Sequence, residues 1–222
     1  MPFDLSMSPT VLLAMWAGGI AVAAAFVAWW RVVGAGFLWT AAGVVLLAGT
    51  GSVTAGRWAT TAIAATVAAA AVAKRPVWAA GVFGVAGIGF LVHAVTESSL
   101  NPLLTITGAV ALGGTTVEML LGHWDLIDPK LPRWALRRLD GAGIAGLTAD
   151  AVLVATLGGI GGAGTLAWVF IALAIMSIVM MIGVWFSLHE RGYEGVMAAT
   201  GLSYLSVLTA LGAVAIARFL VS

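Results

Sequence analysis

Apolar residues run along this chain in blocks of about twenty, parted by short polar or glycine-rich breaks. The blocks are continuously apolar and do not alternate with polar positions. Twenty such residues suffice to cross a bilayer core as a helix. In hydrocarbon the backbone must satisfy its own hydrogen bonds, which leaves helices or closed barrels, and the unbroken runs select helices. Eight spans fit: Pro9 to Trp30, Val32 to Val53, Arg57 to Ala73, Pro76 to Thr96, Pro102 to His123, Gly141 to Ile160, Thr165 to Leu188 and Glu194 to Leu220. Pro9, Pro76 and Pro102 fall at span starts, where a missing N–H is harmless. Pro129 and Pro132 fall in the long connection, so no proline interrupts a span. The predicted fold is an all-α integral membrane bundle of about eight transmembrane helices with short loops, a single domain over residues 1–222.

The pattern breaks for long only once, from Thr115 to Asp140. Glu118 lies inside the fifth span, which ends in Gly122, His123 and Trp124. A basic connection follows, and the next span carries Asp150. That sixth span is short and runs into a glycine-rich stretch, so whether it crosses fully is the weak point of the topology.

Composition agrees with a membrane protein. Of 222 residues, 62% are hydrophobic and 9% charged, and the mean hydropathy is +1.10. A net charge of +1 argues against nucleic acid as a partner. The absence of Cys excludes disulfides, thiolate metal sites and iron–sulfur clusters. The first ten residues carry Asp4 and no Lys or Arg, unlike a secretory signal, so the first span is expected to be retained.

Basic residues orient the spans. One side receives Arg31, Lys74, Arg75, Lys130, Arg133, Arg137, Arg138 and Arg191; the other receives only Arg57 and Arg218. Both termini are therefore expected outside, with the chain integral to the plasma (cytoplasmic) membrane. Trp29, Trp30, Trp58, Trp78, Trp124 and Trp185 sit near span ends, where indoles favour the interface. Abundant Gly and Ala allow close helix approach and provide faces for other membrane subunits.

Gly159 to Gly164 matches GxGxxG literally. A dinucleotide site needs a strand before it and a helix after it, and this run joins two membrane helices, so it reads as a tight connection. Lys130, Arg133, Trp134, Arg137 and Arg138 form a basic, Trp-bearing segment. It reads as an interfacial stretch contacting lipid, or alternatively as a dock for an acidic partner.

Glu118 and Asp150 carry the chemistry, because intramembrane carboxyls face the bundle interior and mark pathways or sites. Glu118 is five residues before His123, roughly 8 Å from the inner interface. Asp150 is expected seven to nine residues into its span, roughly 10–14 Å deep in the same leaflet. Thr115, Glu118 and Gly122 share one face, as do Gly143, Gly146 and Asp150. His123 and His189 fall at inner span ends, and Glu118 and Asp150 are expected to face an inner-leaflet cavity between the fifth, sixth and seventh spans, with at least one of the two histidines at its mouth. His123 points about 140° away from Glu118 around their helix, so such a site lies between helices. His93 belongs to the outer side.

Three functions compete, and the first, a subunit of a quinone-linked electron-transfer complex, is the expected one. A membrane subunit of an electron-transfer complex would use His123 or His189 with Glu118 or Asp150 at a quinone head group, or hold haem b between the two histidines. A small transporter or proton-pathway protein would use Glu118 and Asp150. An accessory subunit would have no chemistry of its own. Enzymatic activity by the chain alone is not expected: there is no Cys, no GxSxG and no HExxH.

Overall fold

Proline opens three of the helices. Pro9, Pro76 and Pro102 occupy first-turn positions, and Ser8 and Asn101 cap the first and fifth helices by accepting from the backbone N–H of Thr10 and Leu103. The computed structural model describes residues 8–52, 56–128, 131–157, 161, 164–190 and 192–221. Among these it holds eight α-helices: α1 Pro9–Trp30, α2 Ala35–Thr50, α3 Arg57–Ala71, α4 Pro76–Glu97, α5 Pro102–Ile127, α6 Arg133–Thr156, α7 Gly164–Ser187 and α8 Tyr193–Leu220. Six are long and apolar enough to cross a membrane; α2 and α3 are shorter. At 1.5 Å per residue, the 16 residues of α2 and the 15 of α3 reach about 24 and 22 Å, less than the ~30 Å of a hydrocarbon core.

Chain neighbours run antiparallel. Gly51 at the end of α2 meets Leu13 near the start of α1, Gly89 of α4 meets Ala62 of α3, Gly122 of α5 meets Leu136 of α6, and Gly183 of α7 meets Leu202 of α8. The α1–α2, α3–α4, α5–α6 and α7–α8 connections therefore share one end of the bundle, called the α5–α6 end below. Arg31, Lys74, Arg75, Arg133, Arg137 and Arg138 all lie at that end, and Arg57 and Arg218 lie towards the other. Lys130, Arg191 and most of the glycine-rich run 159–164 are outside the described residues.

α1 and α5 are central. α1 packs on α2, α4 and α5, and α5 packs on α1, α6 and α8. Backbone touches backbone where they cross: a Cβ on Gly19 would strike the Ala109 carbonyl, and one on Gly113 would strike Gly19 itself. This is the small-residue packing that helices need where lipid supplies no hydrophobic force between them.

The sixth helix corrects the expectation from sequence. It begins at Arg133, eight residues before Gly141, and ends at Thr156. The segment read as an interfacial connection is its first two turns. Trp134, Ala135, Leu136 and Leu139 have no helix breaker among them, and Ala135, Leu136 and Leu139 are buried. α6 then runs beside α5 for most of its length, from Leu136 at Gly122 to Gly146 at Ala111.

Candidate functional site

The interface of α5, α6 and α8 holds two separate polar groups. Asp150 belongs to the one remote from the α5–α6 end. Because α6 starts at Arg133, Asp150 lies seventeen residues along it, roughly 25 Å. That is further from the α5–α6 end than the seven to nine residues expected from sequence. Gly146 lets the backbone of α6 meet that of α5 at Ala111, which sets the Asp150 carboxyl against α5. Thr107 Oγ1 donates to Asp150 Oδ1 at 2.6 Å. Arg218, from the last turn of α8, donates from Nη1 to Asp150 Oδ2 at 2.5 Å, and both side chains are fully buried. Its Nη2 donates to the Leu104 carbonyl and sits 3.7 Å from Met15 Sδ. Gly108 makes room, since a Cβ there would collide with the guanidinium. Taking two charges out of water is costly unless their remaining donors and acceptors are satisfied, and here both carboxylate oxygens have partners.

Glu118 belongs to the second group, eleven residues from Thr107 and so roughly 16 Å nearer the α5–α6 end. Its carboxyl is buried. Ser203 Oγ of α8 lies 2.5 Å from Glu118 Oε2 and 2.8 Å from the Ala199 carbonyl. Ser203 is the donor to Glu118, and its one hydroxyl proton is shared between the two acceptors. Asp140 of α6 lies level with Glu118 along the α5–α6 contact, between Leu136, which meets Gly122, and Gly143, which meets Gly114. Glu118 Oε1 and both oxygens of Asp140 are buried without a hydrogen-bond partner among the described residues. Nearer the end, Asp125 accepts from the Leu131 backbone, while its Oδ1 is likewise buried and unpartnered. Buried polar groups are nearly always hydrogen-bonded, so four such oxygens along one interface mark it as unusual. Among the described residues no group of three or more His, Cys, Asp or Glu side chains converges to hold a metal ion.

The histidines lie elsewhere. His123 is exposed on α5, with Nδ1 3.4 Å from the Tyr204 hydroxyl. His189 uses both ring nitrogens: Nδ1 is 2.8 Å from the Trp185 carbonyl, and Arg137 donates to Nε2 at 3.1 Å. That pairing puts the proton on Nδ1. His93 is buried, with Nε2 3.3 Å from the Ser52 carbonyl. Glu118 and Asp150 therefore lie in separate groups that involve α8, where the seventh span was expected, and neither His123 nor His189 bonds to either acid.

The basic segment works as a clasp. Arg133 donates to the Gly192 carbonyl at 3.0 Å, Arg137 reaches His189, and Arg138 stacks over Trp134 and Trp30. Lys130 lies outside the described residues.

Sequence reading missed Asp140, Ser203 and Arg218. With α6 begun at Arg133, Leu136, Asp140 and Gly143 fall at helical spacing on the face that meets α5, which would have exposed Asp140 as an intramembrane acid. Arg218 stands alone in an apolar run, and a lone intramembrane arginine calls for an acid on a neighbouring helix. No known protein family, curated protein or solved structure matches this chain.

Proposed function

We propose that the chain is a proton-pathway protein whose route follows the α5–α6–α8 interface. The observation that carries this reading is the buried carboxyls Glu118 and Asp140 at one level of the α5–α6 contact, with three oxygens that lack partners among the described residues. Chains of buried acids are the material of intramembrane proton relays, and passing a proton along them needs no co-reactant. Asp125 stands between this pair and the α5–α6 end, and Ser203 links the pair to α8. Towards the other end, Thr107 and the Asp150–Arg218 ion pair continue the line of buried polar groups along the interface.

On this reading the chain lies in the cytoplasmic membrane with both termini outside and the α5–α6 connection inside. The clustering of described basic residues at the α5–α6 end supports that orientation. The membrane potential, about 2.3 kcal/mol per charge per 100 mV, would drive inward flow. The test is purified protein in liposomes with a trapped pH dye and a potassium diffusion potential. Lumen acidification above that of protein-free liposomes is expected, and equal rates would refute the proposal.

A second reading retains a redox role within a larger membrane assembly. It is favoured by His123 and Tyr204, which stand side by side on an exposed face where a quinone head group could meet both. Quinone extracted with the protein, and lost in His123→Leu, would favour it.

A further inference from the structure

We propose that a groove between α1, α4, α5 and α6 is a binding site for one anionic phospholipid, with its phosphate at Arg138. The groove encloses about 400 Å³. Its walls are apolar and small, with Gly19, Ala23, Ala109 and Ala142 among them, and Arg138 is its single charged lining residue among those described. From the level of Gly19 to that of Trp30 is eleven residues of α1, roughly 16 Å. One leaflet of a ~30 Å hydrocarbon core is about 15 Å deep, so the groove takes one acyl chain along its length. It opens towards lipid: Phe26 and Ile106 on its rim are 55% and 49% exposed.

Arg138 sits at the α5–α6 end, the level of a head group. Its guanidinium lies 4.8 Å from the Trp134 ring centroid and 5.8 Å from that of Trp30. The two indoles meet edge to face, with centroids 5.2 Å apart. The two rings flank the guanidinium, and no hydrogen bond to it is seen among the described residues. Among the described residues no carboxylate pairs with it. A planar fork of donors, held and unneutralised, suits a phosphate diester. Basic pockets beside membrane helices take anionic head groups by the same physics.

The test is native mass spectrometry of delipidated protein titrated with phosphatidylglycerol and with phosphatidylcholine of the same chains. The wild-type protein is expected to bind phosphatidylglycerol at least about fivefold more tightly, the attraction of one arginine near a head group. Arg138→Gln should abolish that preference, Arg137→Gln should keep it, and Ala142→Phe, which fills the groove, should weaken both lipids. Equal affinity of the wild-type protein for the two lipids would overturn the proposal, as would a preference that survives in Arg138→Gln. Should Arg138→Gln fail to fold, Ala142→Phe decides: unchanged binding of phosphatidylglycerol would mean that the lipid sits elsewhere.

Discussion

Arg218 and Asp150 are each tolerable in the bundle only because of the other. Removing one partner of a buried pair leaves an uncompensated charge, which costs about 3–5 kcal/mol, whereas replacing both by apolar residues is often neutral. Arg218→Met is therefore expected to lower thermal stability sharply, and Arg218→Met with Asp150→Leu to recover most of the loss. Thermal unfolding in detergent checks both; equal stability of the wild type and Arg218→Met would show that the pair is unimportant. Asp150→Asn belongs with the damaging changes, because it leaves the guanidinium unpaired. Both intramembrane acids named from sequence, Glu118 and Asp150, are buried in the bundle. Their partners were not legible. An eight-residue error in the start of α6 displaces every later residue by roughly 12 Å along the axis, enough to move Asp150 from one half of the bundle to the other. Sequence spacing also cannot say that Ser203 of α8 meets Glu118, since the rotation of one helix against another is set by packing.

Helix existence was legible, and helix ends less so. α1 spans Pro9–Trp30 as the pattern predicts, because proline and a serine cap fix its start. α2 begins at Ala35, after Val32, because Arg31 adopts the left-handed conformation at φ 55° and closes α1 by donating its N–H to the Ala28 carbonyl. Small residues were legible as packing faces, but which glycines are indispensable depends on what faces them. Gly19 and Gly113 lie against backbone, which cannot swing aside; Gly43 and Gly81 face nothing within 4 Å. Gly113→Val is expected to push α1 from α5 and cost about 1–3 kcal/mol. Gly43→Ala should be neutral or stabilising by up to about 1 kcal/mol. Matching melting temperatures for the two variants would contradict the close crossing of α1 and α5.

For the whole molecule, the antiparallel order and the clustering of described basic residues at one end support a single orientation. Ser99 and Asp128 are both exposed and lie at opposite ends. Introduced singly as cysteines, Ser99→Cys is expected to react with an impermeant thiol reagent in intact cells and Asp128→Cys only after permeabilisation; the reverse would invert the topology. The central claim concerns the buried carboxyls Glu118 and Asp140, and proton flux through liposomes carrying single variants tests it most directly. Glu118→Gln and Asp140→Asn keep shape and remove proton exchange. Each is expected to fold, to reconstitute like the wild type, and to reduce flux to the level of protein-free liposomes. Wild-type flux persisting in both variants would contradict a pathway through Glu118 and Asp140.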